Sequence, residues 1–135
     1  MAANQYDFKI EQGSSHKLSF IYKDSDKNPI DISGYCARLT WKTNTNISQI
    51  FTTENLDYST YKFVIDTPTS DGKMTLYFPA STTNGFDFST AKYDLELQST
   101  TDLYTGGGKE TLRILYGNVT IAKRYSKSTE LLDCT

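Results

Sequence analysis

Residues 14–16 place two serines beside the only histidine of the chain, a grouping that could support nucleophilic catalysis. In such chemistry a histidine takes the proton of a serine hydroxyl while a third group, commonly a carboxylate, orients the imidazole. Ser14 and Ser15 directly precede His16, but the Gly-x-Ser-x-Gly turn that presents a nucleophile is absent from the sequence. The pattern therefore predicts an ordinary surface histidine, and we expect no catalytic residues and no enzyme activity.

A glycine run at residues 106–108 invites comparison with a phosphate-binding loop. The Walker pattern needs a glycine five positions before the glycine of Gly-Lys, a Ser or Thr after the lysine, and a helix that follows. Leu103 occupies the first glycine position, and Glu110 follows Lys109. The run is thus predicted to be a loop between two strands, and no nucleotide or other cofactor is expected.

The sequence from residue 24 has the opening spacing of a calcium-binding loop. Asp24, Asp26 and Asn28 match its first three ligand positions. An EF-hand also needs glycine at position 6 and glutamate at position 12, where this chain has Pro29 and Tyr35. We therefore interpret the segment as a solvated loop.

Two further groups could in principle carry chemistry. Asp94 and Glu96 share one face of a predicted strand, and paired carboxylates can hydrolyse glycosides. Acidic residues at outward positions, however, usually lie in solvent without a further role.

Cys36, Cys134 and His16 are too few and too scattered for a structural zinc site. No metal site is therefore predicted, and both cysteines are expected to be reduced thiols.

Charge and hydropathy exclude several classes of partner. Lys plus Arg is 14 and Asp plus Glu is 16, which gives a formal net charge of −2. This balance argues against a protein that binds nucleic acid through a general basic field. No stretch approaches the roughly 18 consecutive apolar residues of a transmembrane helix. Residues 1–5 have neither a charged region nor an apolar run, so no signal peptide is predicted. We expect no nucleic acid and no membrane among the partners.

Alternation of apolar and polar residues runs through most of the chain and predicts strands. Ten Tyr and seven Phe, with abundant Thr, favour the same structure, and no long helix is indicated. Seven or eight short strands separated by frequent turns predict one all-β, two-sheet sandwich over residues 1–125, followed by a tail over 126–135. Asp71-Gly72 predicts a hairpin, and the apolar phase slips at Gly117, which predicts a bulge or bend.

The phase of the alternation separates core positions from surface positions. Large residues predicted to lie between the sheets are Phe20, Trp41, Phe63 and Leu95, with Tyr6 and Tyr116 also on the inward phase. Four apolar residues fall on the outward phase, and at least two of them are predicted to contact neighbouring chains: Ile21, Val64, Tyr77 and Leu115. The apolar pair of the tail is predicted to lie in a groove of a neighbouring subunit, the alternative being a frayed terminus: Leu131 and Leu132.

The turn and strand motifs also occur in a recognisable order. They are Gln12-Gly13-Ser14-Ser15; Asn28 to Leu39, which leads into the strand of Trp41; Asp71 to Leu76; Pro79-Ala80-Ser81-Thr82-Thr83; Tyr93-Asp94-Leu95-Glu96-Leu97; and Ile114 to Ile121. Together they resemble the N-terminal β-sandwich domain of siphophage baseplate upper proteins, a small family of tailed-bacteriophage virion proteins. The resemblance covers nearly the whole chain up to the tail.

This resemblance implies an immunoglobulin-like antiparallel sandwich that docks in a tail, baseplate or neck assembly. It implies no catalysis, a location in the virion after assembly in the host cytoplasm, and partners that are other virion proteins and copies of the same chain in a symmetric assembly. The chain lacks a long C-terminal region for host binding, which favours an adaptor role. The alternatives left open are a carbohydrate- or host-receptor-binding module and a capsid decoration protein.

Overall fold

A computed structural model describes residues 4–101 and 108–124, and within these ranges the chain forms nine strands in two sheets. Extended segments dominate because the alternating side chains give each strand one apolar face to bury. The strands are β1 (Asn4–Gln5), β2 (Phe8–Glu11), β3 (His16–Ile21), β4 (Tyr35–Thr43), β5 (Ser48–Thr52), β6 (Lys62–Ile65), β7 (Lys73–Phe78), β8 (Thr90–Ser99) and β9 (Thr111–Ala122). The predicted all-β sandwich without a long helix is therefore confirmed.

The two sheets divide the strands unequally. One sheet has the order β1-β9-β8-β4-β5, with β2 also paired to β9, and the other has the order β3-β7-β6. Strands β4, β8 and β9 pair antiparallel over most of their length, so the larger sheet provides the rigid layer on which the smaller one packs.

The N-terminal strand departs from the predicted antiparallel pattern. Both β1 and β2 pair parallel to β9, and the chain between them is interrupted at Tyr6 and Asp7. Opposite the interruption lies Gly117, where an added Cβ would come within 2.2 Å of the Tyr6 carbonyl oxygen. The missing side chain lets the backbones approach closely, while the Asp7 carboxylate accepts the Asn118 amide at 2.9 Å. Tyr6, predicted to face inward, is instead half exposed.

The predicted irregularity of the last strand lies three residues before Gly117. Leu95 of β8 pairs with Leu115, but the next residue, Glu96, pairs with Arg113, so Ile114 is the extra residue of a bulge. A bulge shifts the side-chain phase by one residue. Leu115 consequently packs against the core, and Tyr116 lies under the guanidinium of Arg113, 4.8 Å from its ring centroid. The predictions that Leu115 points outward and Tyr116 inward are wrong for this reason.

The centre of the core is a cluster of aromatic rings around Trp41. The indole is fully buried, and four rings lie with their centroids 4.8–5.9 Å from it: Phe51, Phe78, Phe86 and Phe88. The indole nitrogen donates a hydrogen bond to Gln49 Oε1 at 2.7 Å. The four large core residues predicted from the alternation are all buried: Phe20, Trp41, Phe63 and Leu95.

A hairpin and a short helical turn complete the fold. Strands β6 and β7 form an antiparallel hairpin, as predicted, and Gly72 closes its loop in a left-handed conformation with φ 61°. A single helical turn, α1 (Ala80–Asn84), is followed by Gly85 at its C-terminal end. Pro79 occupies the N-cap position of this turn in an extended conformation, with φ −62° and ψ 155°.

Candidate functional site

Residues 14–16, first considered for nucleophilic catalysis, belong to the turn between β2 and β3 and to the start of β3. His16 opens β3, and its Nε2 is buried with no hydrogen-bond partner among the described residues. The Ser14 carbonyl accepts the hydroxyl of Thr83 at 2.7 Å, and that hydroxyl also accepts the Gly13 amide at 3.1 Å. These contacts hold the turn between β2 and β3 against α1, and they give no base positioned at a serine hydroxyl.

The candidate acids also have identifiable structural contacts. Asp24 Oδ1 accepts the backbone amides of Asp26 and Asn28, both at 2.9 Å, which shapes the loop after β3. On the outer face of the larger sheet, Glu96 pairs with Arg38 at 3.0 Å, and Asp94 lies 3.9 Å from Arg113. Partial burial, with the charge of Glu96 nearby, raises the pKa of Asp94 above its usual value. Among residues 4–101 and 108–124, no three His, Cys, Asp or Glu side chains are grouped to hold a metal ion.

The burial of His16 predicts a pH dependence of stability. Desolvation lowers the pKa of its imidazole in the folded state, and the charge of Glu11 opposes this only in part. Below about pH 6.5 the unfolded chain therefore binds more protons than the folded chain, so the free energy of unfolding falls as the pH decreases. Urea denaturation at pH 7.5 and pH 5.5 should show this loss, and the His16→Gln variant should show a smaller one. An equal loss in both proteins would contradict the assignment.

The strongest candidate for function is the outer face of the three-stranded sheet, here called the docking face. Alternate residues of β3, β7 and β6 point away from the core, and the strand register places them in rows. The rows are Lys17, Tyr77 and Lys62; then Ser19, Thr75 and Val64; then Ile21 and Lys73. Three of the apolar residues predicted to contact other chains are thus brought onto one surface: Ile21, Val64 and Tyr77.

Exposure and charge differ across the docking face. Ile21 is 47% exposed and Tyr77 40%, whereas Val64 is partly covered. Lys73 lies 3.9 Å from Asp66, whose carboxylate also accepts the Thr75 hydroxyl at 2.9 Å. Lys17 and Lys62, one on each side of Tyr77, form no ion pair with any described residue. One end of the docking face therefore carries an exposed aromatic ring between two positive charges.

Tyr58 extends the docking face beyond the edge strand β6. Its ring centroid lies 5.2 Å from the Lys62 ammonium, within the range of a cation–π contact. The ring is 43% exposed. In the sequence Tyr58 falls outside the strand alternation, which is the one local signal that separates it from the core tyrosines.

The other predicted contact residues are not part of this face. Leu115 is partly buried against the core, so its outward assignment is corrected by the bulge in β9. Leu131 and Leu132 lie outside the described residues, and their seating in a neighbouring subunit stays a prediction. Sequence reasoning did not select three exposed apolar residues on and beside β5: Ile47, Ile50 and Leu56. The adjacent apolar residues Ile50 and Phe51 indicate a short strand but give too little alternation to show which of them points outward.

Comparison with known proteins gives no identification. No family model matches the chain, and no curated protein has a significant match to it. Within the described ranges no helix is long and apolar enough to span a membrane.

Proposed function

We propose that this protein is a non-enzymatic structural component of a tailed-bacteriophage virion, an adaptor of the tail, baseplate or neck that docks through the surfaces of its sandwich. The observation that carries the proposal is the docking face, on which Ile21, Val64 and Tyr77 converge. Support comes also from the order of turn and strand motifs, which resembles baseplate upper proteins, and from an architecture of the kind that this resemblance implies.

The chemistry of the docking face suits a protein partner. Interfaces combine an apolar, often aromatic centre with a polar rim, and a few anchors such as Tyr dominate the binding energy. Here Tyr77 is the anchor and the two flanking lysines provide a charged rim, while Ser19 and Thr75 add polar groups between Tyr77 and Ile21. The partner should therefore present an apolar pocket for the ring and carboxylates opposite Lys17 and Lys62.

A phage in which the variant gene replaces the natural gene tests this function. Tyr77→Glu places a carboxylate at the anchor, and loss of an interface anchor costs about 2 kcal/mol or more, roughly a thirtyfold loss of binding. We expect the Tyr77→Glu chain to be largely missing from purified particles when they are immunoblotted for it. The matched control is Ile50→Glu, at a 56% exposed residue of the opposite sheet, which should be incorporated normally.

Two results would contradict the proposal in this experiment. The first is absence of the unmodified chain from purified particles, and the second is normal incorporation of Tyr77→Glu. Binding of the isolated protein to a single sugar on a glycan array, abolished by Tyr77→Glu, would instead support a carbohydrate-binding module. The thermal stability of each variant should match that of the unmodified chain because both side chains are exposed.

A further inference from the structure

A cleft separates the end of β3 from the start of β9, and it shares Ile21 with the docking face. It has a volume of about 410 Å³ and is lined by apolar groups at its base: Phe20, Ile21, Ile114 and Leu115. Phe20 and Ile114 are buried in the chain's own core, whereas Ile21 is 47% exposed. The cleft therefore offers an apolar base with room for a pair of aliphatic side chains.

The rim of this cleft carries a net positive charge. Lys23, Lys27, Arg113 and Asp24 lie around it. Asp24 is occupied by two backbone amides of its own loop at 2.9 Å, and Arg113 lies 3.9 Å from Asp94. Lys23 and Lys27 make no ion pair with another described residue. An acidic, apolar segment would complement both the base and the rim.

Strand β3 also has an open edge beside the cleft. It pairs only with β7 among the described strands, so its other edge presents backbone N–H and C=O groups to the outside. Such edges accept an additional extended segment through backbone hydrogen bonds, and neighbouring pockets select its side chains. An occupant of the cleft can thus be held by its backbone as well as by its side chains.

We propose that the cleft binds Leu131 and Leu132 of a second copy of this chain, with Glu130 and Asp133 placed against Lys23 and Lys27. The sequence Glu130-Leu131-Leu132-Asp133 is an aliphatic pair between two carboxylates, which matches an apolar base with a basic rim. This inference rests on the proposed function, since it names one partner of the structural unit as another copy of itself.

Chain length identifies the second copy as the source of this segment. Arg124 is anchored at the far end of β9, where its amide donates to Gln12 and its guanidinium to Asn84. Leu115, at the cleft, precedes Arg124 by nine residues of mostly extended chain, about 30 Å. Leu131 and Leu132 follow Arg124 by seven and eight residues, which span at most about 25 and 29 Å when fully extended. The chain must also reverse direction after β9 to run back toward Leu115, and this turn shortens the reach below the length of the intervening strand, so the leucine pair does not reach the cleft of its own chain.

Sedimentation equilibrium of the full chain in reducing buffer tests this inference. We expect the average mass to rise with protein concentration for the unmodified chain and to stay at that of one chain for the double variant Leu131→Asp/Leu132→Asp. The matched control is Leu56→Asp, at a 78% exposed leucine outside the cleft, which should associate as the unmodified chain does. An unmodified chain that stays monomeric at every concentration would overturn the inference, as would association of the double variant.

A charge exchange tests the proposed seating directly. Lys23→Glu/Lys27→Glu reverses the rim of the cleft, and Glu130→Lys/Asp133→Lys reverses the segment, so each variant alone should remain monomeric. Mixed in equal amounts, the two variants should associate, because each then presents an opposite charge to the other. A mixture that stays monomeric, or single variants that associate like the unmodified chain, would refute the seating.

The result is separable from the test of virion incorporation. Charge-dependent self-association by a chain that is absent from particles would support this inference and reject the proposed function. Incorporation into particles by a chain that never self-associates through the cleft would support the proposed function and reject this inference.

Discussion

Replacement of Trp41 by alanine should lower the free energy of unfolding by about 3–5 kcal/mol, the usual range for a buried large aromatic residue. The indole is fully buried and lies at the centre of four other rings. Its removal would leave a cavity that rings from both sheets and from the loop after α1 cannot all move to fill. Urea denaturation followed by circular dichroism measures the loss, since Trp41 is the only tryptophan and the variant has no indole fluorescence.

The matched control for this prediction is Leu56→Ala, at a leucine that is 78% exposed. Substitutions at exposed positions usually change stability by less than about 0.5 kcal/mol. A Trp41→Ala protein with the same denaturation midpoint as the Leu56→Ala protein would show that the two sheets do not pack around this indole.

Replacement of Gly117 by alanine should detach the N-terminal strands from the sheet. The new Cβ would lie 2.2 Å from the Tyr6 carbonyl oxygen and 2.8 Å from the Asp7 carboxylate, so the backbone must move. Overpacking of this kind costs about 1–3 kcal/mol, and the hydrogen bonds of β1 and β2 to β9 add to the loss. We expect a lower thermal midpoint together with faster hydrogen exchange at the amides of β2.

Gly85→Ala serves as the control for the glycine substitution. A Cβ at Gly85 would be 3.5 Å from its nearest neighbour, an ordinary contact, and the backbone there has a negative φ. This variant should keep the thermal midpoint of the unmodified protein. Unchanged exchange of the β2 amides in Gly117→Ala would mean that the close approach at Tyr6 does not hold the strand.

Most of the sandwich can be predicted from alternation because each strand buries one face. The buried positions Phe20, Phe63 and Leu95 follow directly from that two-residue period. The break at Tyr6 could not be predicted in this way, since its cause is Gly117, which is distant in sequence. Parallel pairing of the first strand with β9 has no local signal either, because a strand carries the same alternation whichever neighbour it joins.

The docking face could likewise be predicted only in part, because its residues come from three strands that are distant in sequence. The outward phase of Ile21, Val64 and Tyr77 is evident in each strand alone, but their convergence depends on the order β3-β7-β6. The lysines beside Tyr77 become its neighbours only through the register of three strands. The alternation places Leu115 on the wrong face because Ile114, Leu115 and Tyr116 are three adjacent large residues. The pattern alone does not show which of them is the extra residue of the bulge.

A cryo-electron microscopy reconstruction of the assembled phage particle tests the central claim most directly. We expect the chain to lie in the tail, baseplate or neck, with Tyr77 and at least one of Ile21 and Val64 in contact with a neighbouring subunit. Density for the chain on the capsid surface would assign it to decoration instead. A particle without the chain, or one in which all three side chains face solvent, would contradict the account.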